Sequence, residues 1–223
     1  MTPLLMKRQF WFWVLTVATG LFFSSAYFVI RGDHQQGLPL YGKVEDFKLT
    51  ERSGETITNK ALQGHLWIAD FIFTRCAGIC PMMSSRMRLL QEKLKDHPEI
   101  HFVSFSVDPE YDTPEVLAKY AKHFNADSKK WLFLTGDKDQ IFKLSRQHFY
   151  LAVGEIPEGE REAPDQSVDH SSKFALVDTE GNIRAYYNSE DPDFVNQIAR
   201  DVQQLETHKG PGSSDPPKGP GTL

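Results

Sequence analysis

From residue 65 onward the chain alternates between two apolar rhythms, and this alternation narrows the fold more than any other feature. "HLWIADFIFT" (65–74) is an almost unbroken apolar run, as expected of a strand covered on both faces. "PMMSSRMRLLQEKLK" (81–95) changes the period. Met83, Met87, Leu90 and Leu94 form one apolar stripe, and Pro81 suits the first position of a helix. "IHFVSFSVD" (100–108) is rich in β-branched and aromatic residues and predicts a second strand. "TPEVLAKYAKHF" predicts a second helix with Thr113 as N-cap, and "WLFLTG" followed by "DKDQIFKLSRQHF" repeats the strand–helix pair. "SSKFALVDTEGNIRAYYN" reads as a hairpin turning at Glu180-Gly181-Asn182, and "DPDFVNQIARDVQQLE" as a closing helix. The order β-α-β-α-β-α-β-β-α predicts an α/β fold, a central mixed sheet with helices on both faces. "VEDFKLTERSGETITN" (44–59) adds an N-terminal hairpin. One connection is out of proportion, the polar stretch 150–169, "YLAVGEIPEGEREAPDQSVD". A loop of that length in a compact domain marks function or mobility.

The two ends of the chain differ from its middle. Residues 10–30, "FWFWVLTVATGLFFSSAYFVI", carry no charge, and their length reaches the roughly 20 residues a helix needs to cross a bilayer. Lys7 and Arg8 precede the run, so the positive-inside rule leaves residues 1–9 in the cytoplasm and exports the chain from Arg31 onward. A signal peptide cleaved near Ser24 to Ala26 is the alternative. The tail 209–223 is rich in Pro, Gly and Ser and is read as a disordered segment. Between them, residues 31–208 suffice for one domain with a buried core. The net charge of −5, without any run of Lys or Arg, excludes a nucleic-acid partner.

The chain has two cysteines, Cys76 and Cys80, both in "FTRCAGICPMM". They stand where the first long strand passes into the helix opened by Pro81. At i and i+4 on one helical turn they would share a face, and a helix N-terminus would favour the thiolate. A disulfide closing so short a loop stabilises little, which disfavours a mere staple. Thioredoxin-type exchange uses a pair one residue tighter. A peroxidatic cysteine with Thr74 two residues ahead fits no better. Two soft thiolates do suit Cu(I), but such a site needs a third ligand. Of the eight histidines, His170 is the candidate by position. It ends the long loop and opens the last hairpin, in "VDHSS", where strand ends and loops gather sites, and Asp169 beside it is placed to orient the imidazole.

"DFIFTRCAGICP", "SFSVDPEYDTP" and "VDHSSKFALVDTEG", in that order, resemble the SCO/SenC proteins, membrane-anchored thioredoxin-fold copper proteins of cytochrome c oxidase assembly. The resemblance covers most of residues 31–208 and includes the N-terminal anchor. It implies a thioredoxin-like domain that binds one copper, as Cu(I) or Cu(II), through Cys76, Cys80 and His170. Asp169, Asp108 and Asp112 are implied as supporting residues, although a helix-capping role before Thr113-Pro114 accounts for Asp112 equally well. Met82 and Met83 are candidate auxiliary soft ligands, with a surface position for the first and core packing for the second as the plainer readings. The implied role is that of a metallochaperone rather than an enzyme. It would deliver copper to, or prepare, the CuA centre of cytochrome c oxidase subunit II, and would be loaded by a copper donor protein. Thiol–disulfide exchange with the target's cysteines and copper or redox sensing are the alternatives. The expected location is the bacterial inner membrane with the domain facing the periplasm. The mitochondrial inner membrane, facing the intermembrane space, is the second choice.

Overall fold

The computed structural model describes residues 37–151, 154, 155, 168, 169 and 172–207, together with Trp13, Thr16 and Thr19. The chain divides into two compact units, Met1–Gly37 and Leu38–Leu223. In the first unit Trp13, Thr16 and Thr19 are helical. The rest of the 10–30 segment lies outside the described residues, as do His170 and the tail. Among the described residues no helix is long and apolar enough to cross a membrane.

The second unit is built on one eight-stranded mixed sheet. Its strands are β1 (Gly42–Lys43), β2 (Lys48–Glu51), β3 (Thr56–Thr58), β4 (Leu66–Ile72), β5 (Ile100–Ser106), β6 (Trp131–Thr135), β9 (Lys173–Val177) and β10 (Asn182–Asn188), in the spatial order β1-β10-β9-β4-β5-β6-β2-β3. A separate two-residue ladder pairs β7 (Gly154–Glu155) with β8 (Val168–Asp169), so that Gly154 lies opposite Asp169 at the ends of the long connection. β4, β5 and β6 run parallel. β9 is antiparallel to β4, with Ala69 opposite Ala175. The helices are α1 (Ile79–Lys93), α2 (Pro114–His123), α3 (Lys138–Lys143) and α4 (Phe194–Thr207). α3 runs on into a π-helical turn, Leu144–His148. The strand–helix alternation, the closing hairpin and the early hairpin β2–β3 all stand where the sequence expects them.

All seven residues of β4 are buried, as a central strand covered on both faces requires. Side chains alternate across it. One face carries Trp67 and Phe71, which pack with Phe105 of β5 and with Phe149 just past the π-helical turn. Phe149 lies 5.3 Å from Phe71 and 5.9 Å from Trp67, ring centre to ring centre. The other face is covered by α1, α2 and α4. Met83, Met87, Leu90 and Leu94, the stripe read from sequence, are buried here, and Phe174 of β9 stacks on Phe194 of α4 at 5.4 Å. Two caps form as their residue types predict. Thr113 accepts from the Val116 N–H at 3.4 Å to open α2, and Asp137 accepts from the Gln140 N–H at 2.8 Å to open α3.

Candidate metal centre

The site grows from the carboxyl end of β4. Past Ile72 the chain leaves the sheet, and the Cys76 N–H donates to the Phe73 carbonyl at 3.2 Å, closing a turn. Gly78 then stands as the N-cap of α1. Cys76 is half-buried in the loop, and Cys80 is fully buried as the second residue of the helix. The expectation that both share one helical turn headed by Pro81 is therefore corrected. The helix opens two residues earlier, at Ile79, and Pro81 sits third. The first-turn N–H groups have no intrahelical acceptor, so a proline anywhere in that turn removes no helical hydrogen bond. The loop still brings the sulfurs together. The Cys80 thiol is hydrogen-bonded to the Cys76 sulfur, and neither cysteine is in a disulfide.

The helix start does not make Cys80 a thiolate, as its place in the sequence suggests. The hydrogen bond to Cys76, and then burial, hold its thiol far above the ordinary value, and a backbone hydrogen bond at Phe73 offsets this only in part. A buried sulfur gives up its proton readily only when something other than water replaces it.

Beneath the pair lies a polar floor that sequence reasoning missed. Asp70 points from β4 toward α1 and α2, fully buried, with neither carboxyl oxygen hydrogen-bonded. Burial pushes its pKa up to about 7. The Ser104 hydroxyl opposite it on β5 opposes that shift only in part; its oxygen also accepts from the Trp131 indole N–H at 2.9 Å. Charge on Asp70 acts on Cys80 and on Tyr120 of α2, and the Tyr120 hydroxyl is 2.8 Å from that of Ser84 on α1. The signal was present in "LWIADFI", a carboxylate in the middle of an otherwise apolar strand.

Asp108 and Asp112, singled out from sequence, hold the two residues just ahead of Cys76. The Asp112 carboxylate is fully buried. It accepts from the Ser106 hydroxyl at 2.5 Å, from the Thr74 N–H at 3.1 Å and from the Thr74 hydroxyl. Burial raises its pKa, and the Ser106 and Thr74 hydrogen bonds hold it back only in part. Thr113 caps α2, so Asp112 is no cap; it joins the ends of β4 and β5. Asp108 takes both the Nε (2.9 Å) and Nη2 (2.6 Å) of Arg75, whose guanidinium lies over the Tyr111 ring at 4.5 Å. Met83 is a core residue and Met82 is half-buried beside it. The backbone of Asp169 belongs to β8; His170 comes directly after it, outside the described residues.

A mixed sheet of this order, with a thiol pair at the carboxyl end of a central parallel strand and the helix after it, defines a thioredoxin-like protein. The chain belongs to the SCO1/SenC family, whose sequence pattern matches residues 38–206. It is 36% identical over 179 residues to the SCO1 protein homolog of Bacillus subtilis, covering 80% of this chain and 90% of that one. Among solved structures it is similar to BsSco, described as a member of the Sco family of cytochrome c oxidase assembly proteins with a disulfide switch. The TM-score is 0.67 at 36% identity, over 78% of this chain and 99% of the other. It is also similar to yeast Sco1 solved with copper bound, with a TM-score of 0.59 at 26% identity, over 74% and 90% of the two chains.

Proposed function

We propose that this protein is a copper-binding assembly factor that holds one copper as cargo through Cys76, Cys80 and His170. Its task is to deliver that copper to, or to prepare, the CuA centre of cytochrome c oxidase subunit II. The observation that carries this reading is the pair of unbridged sulfurs, hydrogen-bonded to each other at the end of β4. Two thiolates are soft donors matched to Cu(I), and an imidazole extends the set to Cu(II). The topology favours His170 as the third donor. β9 runs antiparallel to β4, so its first residue, Lys173, lies toward the end of β4 from which the cysteine loop departs, and His170 precedes Lys173 by three residues. Asp169 is assigned the task of orienting that imidazole, and Asp108 and Asp112 that of fixing the loop. Residues 31–208 form the functional domain behind an anchor at 10–30, facing the bacterial periplasm, with 209–223 as a tail. The family's place in oxidase assembly supports subunit II as the partner.

Copper measured on the purified chain tests the ligand set. One copper per chain is expected for the parent, and loss of it in each of Cys76→Ser, Cys80→Ser and His170→Ala. Retention in the histidine variant would overturn the three-ligand assignment. A second reading, thiol–disulfide exchange with the target's cysteines, draws on the unequal exposure of the pair: Cys76 half-exposed, Cys80 buried. Exchange begins at the accessible sulfur and needs no imidazole. An assembly defect in His170→Ala with unchanged exchange rates would favour copper delivery. Full assembly activity in that variant would favour exchange.

A further inference from the structure

At the other end of α1, three side chains from two separate segments meet. His97 and Glu99 lie on the turn between α1 and β5, and Glu206 in the last turn of α4. The His97 Nδ1 is 2.9 Å from Glu206 Oε1 and 3.4 Å from Glu99 Oε1, and one ligand atom from each of the three lies within 4.8 Å of the others. We propose that His97, Glu99 and Glu206 form a second metal site, for a divalent transition cation of the zinc type, which fastens the C-terminal helix to the α1–β5 turn.

The spacing fits such an ion. Ligand bonds of about 2.0–2.2 Å in a tetrahedron put neighbouring donors about 3.4 Å apart; His97 Nδ1 stands 3.4 Å from Glu99 and 2.9 Å from Glu206, and all three donors lie within 4.8 Å of one another, so small rotamer changes suffice. The charge fits as well. A neutral imidazole with two carboxylates carries two negative charges, which a divalent cation cancels. An imidazolium alone leaves one over. The donors are also held in place. The His97 N–H donates to Leu94 O at 3.1 Å, Lys130 Nζ donates to the His97 and Lys95 carbonyls at 3.1 and 3.0 Å, and Pro98 stiffens the backbone between the two turn ligands. α4 is fixed against α1 by Arg86, which donates to Asp191 O at 3.0 Å and lies over the Phe194 ring at 5.0 Å.

This site is distinct from the thiol pair. α1 has 15 residues, so its ends are about 22 Å apart at 1.5 Å per residue. Softness sorts the two sites as well, sulfur for Cu(I) and nitrogen with oxygen for a borderline ion. The plainer role, an imidazolium clasped by two carboxylates, predicts a pH-sensitive contact and no metal affinity.

Zinc titration of the full chain carrying Cys76→Ser and Cys80→Ser, monitored by calorimetry and by the thermal midpoint, separates the two. The expected result is one Zn2+ per chain and a midpoint that rises with zinc. His97→Ala or Glu206→Gln in the same background should weaken binding at least about tenfold and abolish the rise. The absence of saturable binding, or binding equally strong in both variants, would overturn the proposal. Midpoints in EDTA verify that the variants fold. If His97→Ala does not, Glu206→Gln decides alone, because it keeps the shape and hydrogen-bonding capacity of the side chain.

Discussion

Asp70 carries a carboxyl into a strand whose other six residues are apolar, and the structure leaves that carboxyl without a hydrogen bond. Its pKa in the fold, about 7, lies above the value near 3.9 of an unfolded chain. The folded state therefore binds the proton more tightly, and stability from this group is fully present below pH ~4 and lost as pH rises through 7. Above that pH the buried charge costs on the order of 4 kcal/mol, from a pKa difference of about three units at 1.36 kcal/mol each. Asp70→Asn should accordingly leave the metal-free protein little changed at pH 4 and clearly stabilise it at pH 8. Urea unfolding at the two pH values reads this directly, and equal effects at both would remove the assignment. Neither of these properties was legible beforehand. The residue itself was visible in "LWIADFI", but how far burial outweighs the Ser104 hydroxyl opposite it depends on what packs over the strand.

The elements around the thiols are joined by side chains rather than by the sheet alone. Asp112 is the main tie. Through Ser106 and Thr74 it fastens the carboxyl ends of β5 and β4, and so sets where the Cys76 loop begins. Asp112→Ala removes three accepted hydrogen bonds and strands the buried Ser106 hydroxyl and two half-buried Thr74 donors, a loss of about 3 kcal/mol or more, measurable as a fall in the urea midpoint. Copper affinity should fall with it, and Thr113→Ala, which touches only the cap of α2, should cost about 1 kcal/mol and leave copper binding intact. Equal copper affinities in Asp112→Ala and the parent would show that the tie does not position the loop. At this scale the strand and helix periods of the sequence held up well, because they reflect which faces are buried. Helix starts were less legible. Pro81 signalled the first turn of α1 but not its first residue, since every position of that turn tolerates a missing N–H.

At the scale of the molecule, the family pattern and the compact second unit both begin at residue 38. Deleting residues 1–37 should therefore leave the thermal midpoint of the domain unchanged within error, and a large drop would show that the segment contributes to the core. The sequence by itself determined the α/β class, the buried central strand and the place of the two cysteines. Each depends on local period or on a residue type present in only one place, which no packing can change. The tertiary structure alone decided that Cys80 lies inside the helix and Cys76 outside it, and that Cys80 keeps its proton. It also decided that Asp112 ties strand ends instead of capping a helix, and that His97, Glu99 and Glu206 converge. These depend on burial and on the meeting of segments as much as a hundred residues apart, which a linear pattern does not encode.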